Sequence, residues 1–458
     1  MNNSKKIDMS NIDDVKQSLD KKSLKVCVVG IGRIGLPTAL SFAKAGLQTI
    51  GVDINEKLVD SVNNGNFPLK DEPGHEELLN EVRKDGRFSA TTKIDDAVPQ
   101  SDLILLSLPT PMDENNIPDY SALRIVGKQL SKILGSDSLV IIESTIEPGF
   151  IEDEFVEIIN ETGKLKAGEN FTIGVCPENA NPGEILHDFN NLPRLVGGIN
   201  ESTTKIITEI YRKVFSVELI EMPNCKTANA VKLTTNVFRD LNIAYVNELA
   251  LMFDKLGIDT LEVLEAAKKK YNFQIHLPGP GVGGPCLPIN SYQFLNMAKR
   301  LGIKLDLVKS GREINERMSD HVIDLVTDAF QEVNKPVDKS KILILGVSYK
   351  ANVKDIQLTP AEDIIKKLQN LGAKILIYDP FYIGNDVFGI QVEGKITDVI
   401  SEVDATIIIT AHKEFSLIDP SIFSKMKYPI LVDTRGIIDV TSAKKAGLVF
   451  RGIGRGKI

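Results

Sequence analysis

Gly30-Ile31-Gly32-Arg33-Ile34-Gly35 spaces three glycines as Gly-x-Gly-x-x-Gly. The apolar run Lys25–Gly30 predicts a buried strand that leads into this turn, and the pattern from Ile34 to Ala45 predicts a helix after it. A second strand-like run, Leu47–Val52, ends in Asp53 at 53 − 30 = 23 positions after the first glycine. Strand, glycine turn, helix and second strand follow in the order that a dinucleotide-binding βαβ unit requires.

Each glycine has a mechanical role in such a unit. Gly30 permits the tight turn, Gly32 lets the backbone approach a pyrophosphate, and Gly35 lets the helix and strand pack closely. The start of the helix, with Arg33 and Ile34, offers N–H groups to the phosphates. The Asp53 carboxylate would accept hydrogen bonds from ribose hydroxyls and repel a 2′-phosphate, so we predict NAD as the cofactor in preference to NADP. A glycine-rich turn in an unrelated α/β protein is the alternative.

The pattern along the rest of the chain predicts an α/β fold, with two Rossmann-like doubly wound domains joined by a central helical domain. Strand-like runs continue through Phe171–Cys176, a long helical pattern covers Lys226–Leu256, and strand-like runs return after the polar linker Lys335–Ser340. The predicted parts are a polar N-terminal arm at residues 1–23, an NAD-binding domain at 24–222, a helical domain at 223–334 and a second Rossmann-like domain at 335–458.

Composition excludes several classes of protein. A hydrophobic fraction of 42% and a charged fraction of 25% over 458 residues exclude a disordered chain, a collagen and a disulfide scaffold. The formal net charge of −8 (54 − 62) implies no general attraction to nucleic acid or to an anionic membrane surface. Without an apolar core in Met1–Ser23 or a run of about 18 apolar residues, a cytoplasmic location is predicted. The four cysteines form no Cys-x-x-Cys pair, so no metal site is expected.

One cysteine lies in an unusual loop. The segment from His276 to Pro288 is dense in glycine and proline, so it can be neither a regular helix nor a regular strand, and it contains Cys286. A thiol held in a fixed loop suits covalent catalysis. For an isolated cysteine, a small apolar residue in a structural turn would be the better interpretation.

Three polar side chains share one face of the long helical pattern. Lys232, Asn236 and Arg239 are spaced as i, i+4 and i+7. Spacing alone favours a solvated stripe on an amphipathic helix. An ammonium and an amide on one face could also bind a developing oxyanion, and spacing does not decide between the two.

Together these motifs resemble the UDP-glucose/GDP-mannose dehydrogenase family, most closely its branch that oxidises UDP-N-acetylhexosamines. The resemblance extends from about Leu24 to the end of the chain and includes the glycine loop, Asp53, the helix Lys232–Glu248 and the loop Gly279–Pro288. Further matching segments are Leu108–Pro111, Glu143–Thr145, Cys176–Glu178, Asn181–Gly183, Arg194–Gly198, Ser348–Lys350 and Asp433–Gly436.

This resemblance implies the oxidation of a sugar 6-hydroxymethyl group to a carboxylate with two NAD⁺ and no metal. It implies that Cys286 is the nucleophile, which captures the aldehyde as a thiohemiacetal and becomes a thioester. Lys232 and Asn236 would stabilise the oxyanion, Glu178 would activate water, and Thr145 would lie beside the nicotinamide.

The resemblance also implies ligand contacts and partners. Tyr349, Lys350 and Arg435 would hold the uracil or diphosphate of a UDP-sugar. The helical domain would form a homodimer or higher homo-oligomer, and the product would enter polysaccharide or glycan biosynthesis. The implied substrate-binding residues are Asn179, Lys232, Asn236, Arg239, Gly281, Tyr349, Lys350 and Arg435, and Thr110 joins Thr145 in contacting the cofactor.

Several positions depart from the family pattern and leave alternatives open. Asn290 stands where the family commonly has an aspartate, and it cannot act as a base. Asn179, Pro285 and Gln357 also differ, which predicts either a variant with its own sugar preference or an altered efficiency. UDP-glucose or GDP-mannose is the alternative substrate for the same chemistry. A two-electron hydroxyacid dehydrogenase and a non-catalytic nucleotide-sugar-binding protein are the remaining alternatives.

Overall fold

The computed structural model describes residues 7–456 and shows an α/β fold. The strands are β1 (Lys25–Val29), β2 (Gln48–Val52), β3 (Phe88–Thr91), β4 (Leu103–Leu106), β5 (Ser138–Ile142), β6 (Phe171–Val175), β7 (Arg194–Gly198), β8 (Leu219–Met222), β9 (Lys341–Leu345), β10 (Lys374–Tyr378), β11 (Asp386–Val387), β12 (Ile390–Gln391), β13 (Ala405–Ile408), β14 (Ile430–Asp433) and β15 (Val449–Gly452).

The α-helices alternate with these strands, except for a mainly helical stretch in the middle of the chain. They are α1 (Ile12–Asp20), α2 (Gly35–Lys44), α3 (Glu56–Asn63), α4 (His75–Lys84), α5 (Ile94–Ala97), α6 (Ser121–Ile133), α7 (Val156–Ile159), α8 (Ile185–Asn191), α9 (Glu201–Val214), α10 (Cys225–Leu256), α11 (Thr260–Ala267), α12 (Leu287–Arg300), α13 (Asp306–Glu332), α14 (Pro360–Asn370), α15 (Ile396–Val399) and α16 (Val440–Lys445).

The described residues divide into two compact units. The first unit comprises residues 7–235 and 292–297, and the second comprises 236–291 and 298–456. Both α10 and α12 contribute turns to each unit.

The first unit is built on an eight-stranded sheet in the order β3-β2-β1-β4-β5-β6-β7-β8. Neighbouring strands are parallel except β6 and β7, which are antiparallel. Separate hydrophobic clusters, one with Phe42 and the other with Phe155, pack in its core. The strand order reverses between β1 and β4, and the carboxyl ends of strands at such a switch point form the usual ligand crevice of open α/β sheets. The glycine loop therefore begins where a ligand site is expected.

The N-terminal segment packs on this unit. Its helix α1 covers Ile12–Asp20. Met9, Val15 and Leu19 are buried in the core. The arm is thus packed from residue 7 onward, and its first six residues lie outside the described part of the chain.

The second unit contains a five-stranded parallel sheet in the order β10-β9-β13-β14-β15. Leu345 at the end of β9 pairs with Tyr378 of β10 and Ile408 of β13, so the loops after these strands leave from one edge. The helices α13 and α14 supply apolar side chains such as Val326 and Ile364 to the core beside the sheet. Within residues 7–456, no helix is both long enough and apolar enough to cross a membrane.

Candidate active site

The glycine loop contains two glycines that the fold requires and one that it does not. A Cβ on Gly30, which has φ +88°, would lie 2.4 Å from the carbonyl oxygen of Ser107. A Cβ on Gly35 would lie 1.8 Å from the carbonyl oxygen of Gly30, whereas a Cβ on Gly32 would meet no atom within 4 Å. The open space at Gly32, three residues before α2 begins at Gly35, fits the approach of a dinucleotide pyrophosphate.

Asp53 lies at the carboxyl end of β2, next to this loop. One carboxylate oxygen accepts a hydrogen bond from the N–H of Ile31 at 3.1 Å, and the other accepts from the N–H of Asn55 at 2.9 Å. The carboxylate is partly exposed, so it has room to accept further hydrogen bonds from ribose hydroxyls. This arrangement fits NAD.

Arg33 is turned towards carboxylates of its own unit. Its guanidinium lies 2.9 Å from both Asp71 and Glu72, and Glu72 also accepts from the N–H of Gly183 at 2.7 Å. The side chain thus links the glycine loop to the segment after β6.

The different surroundings of two glycines predict different effects of adding a methyl group. Gly35→Ala should lower the free energy of unfolding by about 3 kcal/mol or more, because its Cβ would overlap a backbone oxygen. Gly32→Ala should leave stability within about 0.5 kcal/mol and weaken NADH binding about tenfold. Urea denaturation and NADH fluorescence titration measure the two effects. Unchanged NADH affinity in Gly32→Ala would contradict the placement of the pyrophosphate.

Glu178 follows β6 and lies in a tight ring of donors. One carboxylate oxygen pairs with the Arg194 guanidinium at 2.7 Å, and the other accepts from the N–H groups of Asn179 and Ala180 at 2.6 and 2.8 Å. These contacts give Glu178 a fixed position in the first unit. Glu178 is therefore not an isolated surface carboxylate.

Arg194 is almost fully buried, with 2% of its surface exposed. Its guanidinium stacks on the rings of Phe215 and Phe189, with 3.8 and 4.5 Å to the ring centroids. Burial by itself would lower the pKa of Arg194, but the nearby acidic groups, Glu178 foremost, raise it. The side chain thus stays charged and holds Glu178.

Lys232 is buried, with only 7% exposed, and its Nζ donates to the side-chain oxygen of Asn179 at 3.2 Å. The solvated-stripe interpretation of the helix is therefore wrong for this residue, because the segment after β6 covers this turn of α10. Further along α10, Asn236 is half-buried and Arg239 is exposed.

The loops after β4 and β5 are tied together. The hydroxyl of Thr110 donates to the carbonyl oxygen of Thr145 at 3.0 Å. Beneath them, Glu143 accepts from the hydroxyl of Tyr211 at 2.7 Å, and burial raises the pKa of Glu143 to about 7. Gln293, which sequence reasoning missed, donates to the hydroxyl of Tyr120 at 3.0 Å in the same unit.

Cys286 lies in the second unit and is exposed, whereas the three cysteines of the first unit are buried. Burial raises the pKa of Cys27 and of Cys176 to about 12, which keeps those thiols protonated and unreactive. The N–H of Gly284 donates to the carbonyl oxygen of Gln357 at 3.0 Å. The loop thus holds its exposed thiol on a fixed backbone.

Two of the predicted nucleotide-binding residues pack on the cysteine loop. A Cβ on Gly284 would lie 2.5 Å from the Tyr349 ring, and a Cβ on Gly279 would lie 2.4 Å from the Arg435 guanidinium. Gly281 has φ +136° and packs on Pro360. Lys350, the residue after Tyr349, is half-buried. Sequence motifs far apart in the chain are therefore brought together in this unit.

Asn236 and Asn290 also meet in the second unit. The Asn236 side-chain N–H donates to the Asn290 side-chain oxygen at 2.5 Å, and the Asn290 N–H donates to the Cys286 carbonyl oxygen at 3.0 Å. A buried network lies nearby, in which Asp240 accepts from Ser291 at 2.7 Å and from Arg312 at 2.9 Å. Sequence reasoning missed this network, since Asp240 reads as an ordinary polar residue of an amphipathic helix.

Comparison with known proteins identifies the family. Three models of the UDP-glucose/GDP-mannose dehydrogenase family match the chain, namely the NAD binding domain at residues 24–215, the central domain at 226–317 and the UDP binding domain at 343–440.

Among residues 7–456, no three histidine, cysteine or acidic side chains are grouped so that they could hold a metal ion.

Individual relatives match over nearly their whole length. UDP-N-acetyl-D-mannosamine dehydrogenase of Pyrococcus horikoshii is 33% identical over 436 residues, covering 95% of this chain and 100% of that protein. UDP-N-acetyl-D-glucosamine 6-dehydrogenase of Salmonella typhi is 31% identical over 395 residues, covering 86% and 91%. The solved structure of the UDP-D-ManNAc dehydrogenase from Pyrococcus horikoshii has a TM-score of 0.88 at 32% identity, covering 95% of this chain and 100% of that one. The chain is therefore a member of the UDP-glucose/GDP-mannose dehydrogenase family and an NAD-dependent oxidoreductase.

Proposed function

We propose that this enzyme oxidises the C6 hydroxymethyl group of a UDP-N-acetylhexosamine to the carboxylate, using two NAD⁺ per sugar, and so supplies a uronate for polysaccharide or glycan biosynthesis. The observation that carries the proposal is the exposed Cys286, on a loop whose glycines pack against Tyr349 and Arg435. The relatives named for UDP-ManNAc and UDP-GlcNAc support the choice of sugar class.

The chemistry proposed for the chain is covalent. Bound NAD⁺ would supply the hydride acceptor for each of the two oxidations at C6. The first oxidation converts the alcohol to an aldehyde, and the Cys286 thiolate adds to its carbon to form a thiohemiacetal. The second converts the thiohemiacetal to a thioester, which water cleaves to release the carboxylate and the thiol. Covalent capture keeps the aldehyde aligned for the second oxidation and prevents its escape.

The remaining proposed roles are those that the family resemblance implies, and the side-chain chemistry is compatible with them. The Lys232 ammonium and the Asn236 amide are donors for the oxyanion. Glu178 orients or activates the water, with Thr145 beside it and the nicotinamide, while Asn290 has no basic group and serves as a hydrogen-bond partner. The proposed ligand contacts at the cofactor are Gly30, Gly32, Arg33, Ile34, Gly35, Asp53 and Thr110, and those at the UDP-sugar are Asn179, Arg239, Gly281, Tyr349, Lys350 and Arg435.

A substrate panel tests this function. The enzyme is mixed with NAD⁺ and, separately, UDP-GlcNAc, UDP-ManNAc, UDP-GalNAc, UDP-glucose and GDP-mannose, and NADH is counted against sugar consumed. The expected result is two NADH per sugar with a UDP-N-acetylhexosamine. A ratio of one indicates a two-electron dehydrogenase, turnover of only UDP-glucose or GDP-mannose indicates the alternative substrate, and UDP-sugar binding without NADH indicates a non-catalytic binder.

We also propose that α10 forms a homodimer contact. Phe238, Tyr245 and Met252 are spaced by seven residues on this helix and are 50, 52 and 50% exposed. Seven residues are close to two helical turns, so these side chains form one apolar stripe, and a second copy would cover it.

A charge placed in the stripe should separate the two copies. Tyr245→Glu is expected to give a monomer in light scattering coupled to size-exclusion chromatography, because the carboxylate would have to be buried without a partner. Tyr245→Phe, which keeps the apolar ring, should remain a dimer. A dimeric Tyr245→Glu variant with unchanged dissociation constant would place the interface elsewhere.

A further inference from the structure

The loop after β9 carries Tyr349 and Lys350, and neighbouring strand ends hold its backbone. The N–H of Val347 donates to Asp379 Oδ2 at 2.8 Å. Thr410 Oγ1 donates to the carbonyl oxygen of Ser348 at 2.6 Å. These two contacts fix the start of the loop on the loops that follow β10 and β13.

The far side of the loop rests on a buried histidine. The N–H of Asn352 donates to His412 Nδ1 at 2.9 Å, and the side-chain oxygen of Asn352 accepts from the N–H of Lys413 at 2.9 Å. His412 and Asp379 are 1% and 0% exposed, and His412 Nε2 lies 3.1 Å from Asp379 Oδ2. Because a backbone N–H can only donate, Nδ1 must accept, and the ring proton is on Nε2, facing the carboxylate.

The same loop reaches the cysteine loop. The N–H of Tyr349 donates to the carbonyl oxygen of Asp355 at 3.0 Å, which folds the loop back on itself. Two residues later, the carbonyl oxygen of Gln357 accepts from the N–H of Gly284. The conformation held by Asp379 and His412 therefore sets the position of Tyr349 and supports the segment that contains Cys286.

We propose that Asp379 and His412 form a positioning pair that pre-organises the loop 347–357 for a nucleoside diphosphate. The inference rests on the proposed function, because it takes Tyr349 and Lys350 as nucleotide contacts. A loop that is already ordered loses less conformational entropy on binding, so the pair contributes to affinity without contacting the ligand.

Two replacements of His412 separate its two hydrogen bonds. His412→Asn places an acceptor near the position of Nδ1 and can retain the bond from Asn352. His412→Gln places a donor near the position of Nε2 and can retain the bond to Asp379, but it offers nothing to Asn352. We expect His412→Gln to raise the Kd for UDP and the KM for the UDP-sugar about tenfold, with a smaller change in kcat. His412→Asn should raise the same Kd and KM much less, because it retains the bond from Asn352.

The readouts are calorimetric titration with UDP and amide hydrogen exchange of residues 349–357 in the UDP-free enzyme. Exchange should be faster in His412→Gln than in His412→Asn, whereas NADH affinity should be unchanged in both. Wild-type exchange and wild-type UDP affinity in both variants would overturn the positioning role. If the wild-type enzyme bound no UDP, the proposed function would fail, while the exchange comparison would still test whether His412 holds the loop.

Discussion

Cys286→Ser is expected to lower uronate formation by about a thousandfold or more, because loss of a covalent nucleophile removes the whole thioester route. A serine hydroxyl is far less ionised than a thiol at neutral pH, so it does not capture the aldehyde efficiently. The first oxidation does not need the thiol, so slow formation of aldehyde with one NADH per sugar should remain.

The measurement is NADH per sugar, together with chromatography of the sugar product. Cys27→Ala is the matched control, since burial keeps that thiol protonated and remote from solvent. It should still yield two NADH per sugar. Full uronate output from Cys286→Ser would remove Cys286 from the mechanism and favour direct hydration of the aldehyde.

Arg194→Met is expected to destabilise the first unit by about 3–5 kcal/mol, because removal of one partner from a buried ion pair leaves the other charge unpaired. The carboxylate of Glu178 would lose its guanidinium, and the rings of Phe189 and Phe215 would lose the group stacked on them. The midpoint of thermal unfolding should fall by roughly 10 °C.

Matched controls separate this effect from a general loss of charge. Arg212→Met removes an exposed guanidinium that pairs with Glu209, and it should change stability by less than about 0.5 kcal/mol. Adding Glu178→Gln to Arg194→Met removes the stranded charge and should restore part of the stability, although catalysis should suffer. Equal effects of Arg194→Met and Arg212→Met, measured by urea denaturation, would show that the buried pair does not stabilise the fold.

Local sequence patterns were sufficient to predict much of the fold. The strand before the glycine loop, the helix after it and the long helix α10 agree with prediction to within about two residues at each end. The strands β7 and β8 were not predicted, and neither was the antiparallel pairing of β6 with β7. Arg194 is the first residue of β7, and a charged residue at the start of a short apolar run makes a strand harder to predict. The same charged residue forms the buried ion pair with Glu178.

The sequence by itself determined the α/β class, the family and the residue types available for chemistry, because glycine spacing, strand periodicity and ordered motifs are local properties. The family and fold class are confirmed, whereas the residue roles and the domain boundaries stay predictions. Only the tertiary structure decided which polar groups are buried and paired. Spacing placed Lys232 on a solvated stripe, but the segment after β6 covers it. Motifs as distant as Gly284 and Tyr349 meet only when the chain folds, because contacts between remote segments depend on topology and packing, which no local pattern encodes.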